Sequence, residues 1–141
     1  MRGVLRPPVF RARMLGVVVA GGVIGVALRE LLLLPFGTDA ATSETALVVP
    51  AVTMGVNVVG SLLLGIVIGS LEDRHPLVRA FLGTGLLGGF TTYSAFALQT
   101  ATLLGSFPIA GAALAVVSVL LGLAAAAIGL RLATHRPKVT G

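Results

Sequence analysis

Four long apolar stretches dominate the pattern of hydrophobic and polar positions along this chain. They cover residues 14–34, 47–71, 77–104 and 107–130. Each reaches the length of about 20 residues that a helix needs to cross the hydrocarbon core of a bilayer. The connections between them are too short to hold a soluble domain. The pattern therefore predicts an all-α integral membrane protein with four transmembrane helices.

Basic residues are distributed unevenly between the two sides that alternating spans define. The loops of one side carry no lysine or arginine, and the other side carries nine: Arg2, Arg6, Arg11, Arg13, Arg74, Arg79, Arg131, Arg136 and Lys138. Because Lys and Arg are retained on the cytoplasmic side, we predict a multi-pass protein of the plasma (inner) membrane with both termini in the cytoplasm. The predicted parts are a basic N-terminal segment (1–13), a four-helix transmembrane domain (14–130) and a basic C-terminal tail (131–141).

Composition narrows the possible function classes. Hydrophobic residues make up 56% of the chain and charged residues 11%, against about a quarter charged in soluble domains. The absence of cysteine excludes disulfides and thiol chemistry. The net charge of +5 is a topological signal, so we expect contact with membrane lipid and no nucleic-acid partner. We also expect no enzymatic activity, because no histidine or carboxylate lies at mid-span to activate a serine.

A polar stripe crosses the second apolar stretch. Thr53, Asn57 and Ser61 are spaced four residues apart, so they share one helix face near the predicted bilayer centre. An unpaired polar group in hydrocarbon costs several kcal/mol and therefore finds a partner or a water-filled path. Two interpretations of Asn57 remain open: a packing hydrogen bond to a neighbouring helix, or the lining of a polar pathway.

The third apolar stretch has a centre that argues against a continuous helix. Gly88 and Gly89 lower helix propensity, and the paired Thr91 and Thr92 can satisfy backbone groups that a break exposes. Free carbonyls at such a break can hold a cation such as sodium. If helix resumes after the break, Tyr93 and Phe96 share a face, as core packing or as the wall of a path.

These polar groups favour an anion. Asn57 offers N–H donors, the hydroxyls of Thr53, Ser94 and Tyr93 offer O–H donors, and aromatic ring edges are partly positive. No lysine or arginine lies at mid-span, so an anion could enter and leave. Arg29 ends the first span, where it either acts on the permeating ion or reaches the interface.

Three motifs, in this order, make the chain similar to the Fluc/CrcB family of fluoride channels. They are Gly-Gly-Val-Ile-Gly-Val-Ala-Leu-Arg (21–29), Gly-Val-Asn-Val-Val-Gly-Ser (55–61) and Gly-Gly-Phe-Thr-Thr-Tyr-Ser-Ala-Phe (88–96). The resemblance implies passive export of fluoride that relieves its toxicity. It also implies an antiparallel dimer with fluoride pathways at the interface. Fluoride itself comes from the resemblance alone.

The resemblance also implies roles for individual residues. Asn57 would be the pore amide, and Tyr93 and Phe96 would occupy the two aromatic positions that face the ion. The carbonyl oxygens of Gly88 and Thr91 would hold a central structural sodium ion.

This sequence departs from the family pattern at two positions and in its charge bias. Tyr93 stands where the family has phenylalanine, and Ala95 stands where it has threonine. One of the two pathways could therefore be altered or lost. The one-sided basic residues resemble those of members that pair two related chains of fixed, opposite orientation. The partner is therefore a second copy in opposite orientation or a homologous chain.

Two other functions remain as alternatives. A small multidrug-type exporter also uses four spans, but it needs a membrane carboxylate to exchange protons for a cation, and Glu30 is the candidate. A non-conducting membrane assembly subunit would explain the many small residues but not the polar residues at mid-span.

The charge bias generates a prediction about orientation. Reporter fusions at the C-terminus should show that all inserted molecules have that end in the cytoplasm, because the arginines resist translocation. An even mixture of the two orientations would contradict a fixed topology.

Overall fold

The computed structural model describes residues 8–36, 48–71 and 75–135 of the chain. Within these residues the protein is helical, which confirms the all-α prediction. The helices are α1 (Pro8–Leu33), α2 (Val48–Leu71), α3 (Pro76–Arg79), α4 (Gly88–Phe90), α5 (Tyr93–Ser106) and α6 (Pro108–Thr134). A 3₁₀ turn, Leu34–Phe36, follows α1, and a π-helical segment, Ala80–Leu87, joins α3 to α4.

Three helical segments in the described part of the chain are long and apolar enough to cross a membrane. They are Val9–Phe36, Val48–Leu71 and Pro108–Thr134. At about 1.5 Å per residue, even the shortest exceeds the ~30 Å hydrocarbon core. The predicted third span has a different form, because it consists of α3, the π-helical segment, α4 and α5 in succession.

The outer helices extend beyond the predicted spans. α1 begins at Pro8 and therefore includes Arg11 and Arg13. The fixed φ of proline suits the first position of a helix. α6 continues through Arg131 to Thr134. Arginine is a good helix former whose long side chain can reach the interface, so helix continues past the apolar run. The other predicted tail residues, Arg2, Arg6, Arg136 and Lys138, lie outside the described residues, as does Arg74.

Regular helix is interrupted at Thr91 and Thr92, the second half of the segment in which the sequence predicts a break, and the glycine pair before them is helical. Both threonines have extended backbone, with φ/ψ of −75°/155° and −139°/114°. Gly88 and Gly89 are helical, and Gly89 contacts the backbone of Gly22 in α1. The glycines serve close packing, while the Thr92 hydroxyl caps α5 by accepting from the Ala95 N–H at 3.2 Å.

Contacts between the elements define their directions. Val18 lies against Gly85 and Gly25 against Phe90, so α1 runs parallel to the third stretch. Asn57 pairs with Thr92 while Val67 approaches Gly83, so α2 runs antiparallel to the third stretch.

The other helix pair places the basic residues. Leu62 packs on Gly129 and Gly69 on Ala133, so α6 runs parallel to α2. The start of α1, the start of the third stretch and the end of α6 therefore lie at one end of the molecule. That end carries the basic residues Arg11, Arg13, Arg79 and Arg131.

Glycine permits backbone contact between the paired helices. A Cβ at Gly25 would overlap the carbonyl oxygen of Leu86 and lie 2.8 Å from the Phe90 nitrogen. Gly65 and Gly129 have the same role between α2 and α6. Small residues at four-residue spacing therefore mark these contacts, as expected for membrane helices. Ala51 and Gly55 have the same four-residue spacing, but both are exposed and mark no contact between helices of this chain.

Gly25→Ala and Gly16→Ala form a matched pair on α1. A methyl group at Gly25 forces the helices apart, which should lower the free energy of unfolding by about 1–3 kcal/mol. A Cβ at Gly16 would meet no atom within 4 Å beyond the adjacent backbone of its own helix, so Gly16→Ala should be neutral or slightly stabilising. Unfolding of both variants in one detergent measures the difference. Equal stability would contradict the close contact of α1 with the third stretch.

Candidate functional site: a groove at the helix interruption

A groove of about 520 Å³ opens where α2 and α6 face the interruption. It is lined by Asn57, Gly60, Ser61, Leu64, Gly83, Leu87, Gly88, Thr91, Thr92, Tyr93, Phe96, Ser118, Val119, Gly122 and Leu123. None of these residues is Asp, Glu, Lys, Arg or His. The groove therefore combines an apolar wall with a few uncharged polar groups, a pattern typical of ligand sites.

Asn57 holds the interruption in place. Its Oδ1 accepts from the Thr92 N–H at 2.8 Å, and its Nδ2 donates to the Thr92 carbonyl at 3.2 Å. Gly60 lies one turn further along α2, and the Thr91 methyl group occupies the space that a Cβ at Gly60 would fill. Asn57 thus makes the packing bond considered above and also lines the groove. Its amide has two N–H groups, and Thr92 takes one.

Two carbonyls beside the interruption lose their usual helical donors. The donor to Gly88 would be the Thr92 N–H, which goes to Asn57. The donor to Thr91 would be the Ala95 N–H, which goes to the Thr92 hydroxyl. The carbonyl of Leu87, one residue earlier, keeps its helical donor: it accepts from the Thr91 N–H at 3.0 Å and also from the Thr91 hydroxyl at 2.9 Å. The oxygens of Gly88 and Thr91, two groove-lining residues, are thus left without the helical bond.

Two aromatic rings lie on one edge of the groove. The centroids of Tyr93 and Phe96 are 6.1 Å apart and the rings are tilted by 50°. Tyr93 is 81% exposed, whereas Phe96 is half-buried. Both rings line the groove with Asn57, so the structure brings together the amide and the aromatic pair that the sequence analysis selected.

Three other predicted site residues lie outside the groove lining. Ser94 is exposed, with its hydroxyl 3.3 Å from that of Thr92. Thr53 is buried and accepts from Nε2 of Gln99 at 3.0 Å. Arg29 donates from Nη1 to the carbonyl of Gly89 at 3.2 Å.

Sequence reasoning missed two polar residues. Gln99 links α5 to α2 through its hydrogen bond to Thr53. The sequence feature that points to it is an isolated amide three residues after Phe96, on the same helix face. Ser118 lines the groove from α6, and its buried hydroxyl has no partner among the described residues. The sequence feature that points to Ser118 is an isolated serine within an apolar run.

Comparison with known proteins identifies the family that this chain resembles. The model of the family described as CrcB-like protein, Camphor Resistance (CrcB), matches residues 16–130. A relative from Leifsonia xyli subsp. xyli, named fluoride-specific ion channel FluC 2, is 38% identical across 89% of this chain and 87% of that protein. The fluoride-specific ion channel FluC of Hyphomonas neptunium is 45% identical, over 82% and 91%. The fluoride-specific ion channel FluC 2 of Bacillus subtilis is 39% identical, over 80% and 82%. The resemblance seen in the three motifs is confirmed.

Asn57→Leu tests the bond that holds the interruption. Leucine keeps much of the volume but leaves the Thr92 N–H and carbonyl unpaired, so the free energy of unfolding should fall by about 2 kcal/mol or more. Unfolding in detergent measures the loss. Ser61→Ala, which changes another groove residue on the same helix face, is the control. A loss no greater than that of the control would contradict the structural role of Asn57.

Proposed function

The chain belongs to the CrcB-like protein family, and on that premise we propose that it is a channel subunit that conducts fluoride passively out of the cell. One observation carries the proposal: an amide and two aromatic rings converge on an uncharged groove beside a helix interruption. The relatives from Leifsonia xyli subsp. xyli and Hyphomonas neptunium are named as fluoride-specific ion channels. Passive export would relieve fluoride toxicity.

The groove offers the chemistry that a small anion needs. Asn57 supplies an N–H donor, the Ser61, Ser118 and Tyr93 hydroxyls can donate, and the aromatic edges carry partial positive charge. No fixed cation lines the groove, so an anion is not trapped. These properties support a small permeating anion, and its assignment as fluoride rests on the names of the relatives.

Exposure of this polar site supports an assembly of two chains. Tyr93 is 81% exposed, and Gly88 and Ser94 are also exposed. In hydrocarbon, uncovered carbonyl and hydroxyl groups are costly. A second chain would cover the groove and complete a pathway at the interface, with membrane lipid around the outer faces. The family resemblance supports an opposite orientation of the two chains.

A structural sodium ion fits the donor set of the interruption. Sodium is a hard cation that binds oxygen, and the carbonyl oxygens of Gly88 and Thr91 lack their helical donors. In an antiparallel dimer, both chains would contribute these oxygens to one central ion. The ion would supply positive charge beside carbonyl oxygens that lack their helical donors.

The charge distribution supports a fixed orientation in the cell membrane. Arg11, Arg13, Arg79 and Arg131 lie at one end of the molecule, which the positive-inside rule places in the cytoplasm. A chain of fixed orientation cannot form an antiparallel dimer with itself. A homologous chain of opposite bias is therefore the preferred partner, and a second copy is the alternative.

The exporter alternative lacks a suitable carboxylate in the described structure. The Glu30 side chain is 61% exposed and pairs with Arg29 at 3.0 Å. Neither residue lines the groove. Glu30 is therefore poorly placed to exchange protons for a cation bound there.

Fluoride efflux from liposomes tests the channel proposal. The chain, alone or with a homologous partner, should release fluoride without an energy source. Asn57→Asp should slow efflux at least about tenfold, or about 1.4 kcal/mol of barrier, because a carboxylate repels the anion. Ser70→Asp adds the same charge at an exposed position near the end of α2 and should conduct normally. Absence of efflux from both preparations, or normal efflux by Asn57→Asp, would contradict the proposal.

A further inference from the structure

Arg29 makes its contacts away from the groove. Its Nη1 donates to the carbonyl of Gly89 at 3.2 Å. Its Nε and Nη2 both donate to Oε1 of Glu30, at 3.2 and 3.0 Å. Only 18% of the Arg29 side chain is exposed. The guanidinium is thus held between a carboxylate of its own helix and a backbone oxygen of another element.

The Gly89 carbonyl lies in the short helix that ends at the interruption. α4 ends at Phe90 and the next two residues are extended, so regular helix does not continue past this carbonyl. Basic side chains can satisfy the last carbonyls of a helix and interact favourably with its negative end. Arg29 has that role across the contact between α1 and α4.

Two side chains therefore hold the interruption from opposite flanks. Asn57 of α2 binds the peptide groups of Thr92, and Arg29 of α1 binds Gly89. Between these two points lie Gly88 and Thr91 on the groove wall. A shift at the end of α4 would move both of these carbonyls.

We propose that Arg29 is a positioning residue, which sets the place of α4 and the groove wall without contacting the permeating anion. The effect on permeation rests on the proposed channel function, whereas the effect on the interruption does not. Glu30 offsets the guanidinium charge, and Arg29 is absent from the groove lining. The planar guanidinium of Arg29 donates to Glu30 and Gly89 at the same time, a geometry that the single ammonium of lysine cannot reproduce.

Hydrogen exchange tests the positioning role independently of transport. The purified chain should be compared with Arg29→Lys, which keeps the charge, and Arg29→Gln, which removes it. Amides of residues 88–96 should exchange about tenfold faster or more in both variants, as expected for loss of a hydrogen bond from a charged donor. Exchange in α6 should not change. Arg13→Gln, an exposed arginine on the same helix, is the control and should match the parent chain. Unchanged exchange at 88–96 in both Arg29 variants would overturn the proposal.

Fluoride efflux separates positioning from direct contact with the anion. Positioning predicts that Arg29→Lys and Arg29→Gln slow efflux alike, with the half-saturating fluoride concentration unchanged. If lysine preserves that concentration and glutamine raises it, the charge acts on the anion and the proposal is wrong. If the parent chain shows no efflux either alone or with a homologous partner, the channel function fails, and the exchange experiment still decides the role of Arg29.

Discussion

Inside a bilayer, every backbone N–H and carbonyl needs a partner from the protein, and this chain leaves regular helix at Thr91 and Thr92. Side chains replace the missing helical bonds there. Asn57 pairs with both peptide groups of Thr92, and the Thr92 hydroxyl caps α5. Arg29 takes the Gly89 carbonyl. The groove exists in this form because these bonds stabilise an extended segment at membrane depth.

The same bonds give the groove its chemistry. By occupying the N–H groups of Thr92 and Ala95, the Asn57 and Thr92 side chains leave the Gly88 and Thr91 carbonyls without their helical donors. The extended residues also start a new helix, which brings Tyr93 and Phe96 to the groove beside the amide. Donor groups for an anion and carbonyl oxygens for a cation therefore arise from one local feature. This arrangement links the proposed sodium site to the proposed fluoride pathway.

Close helix packing holds the elements around the interruption. Glycines in α1 and in the third stretch bring the two backbones into contact, and Gly65 and Gly129 do the same for α2 and α6. Small residues leave little side-chain volume in these contacts, so the positions of the helices depend on backbone geometry. Ala51 and Gly55 have the same spacing but are exposed, which shows that spacing alone does not identify a contact between helices of one chain.

The sequence alone determined the helical class and the identity of the central polar groups, because hydrophobic length and mid-span polarity follow from local composition. It also favoured an interruption in the third stretch, within the segment of paired glycines and paired threonines. Only the tertiary structure decided that Thr91 and Thr92 are extended, since the contact of Gly89 with Gly22 keeps the glycine pair helical. It likewise decided that Thr53 pairs with Gln99 and Arg29 with Gly89. The two residues of these pairs are separated along the chain by 46 and by 60 positions, respectively. A local sequence pattern does not predict contacts over such separations.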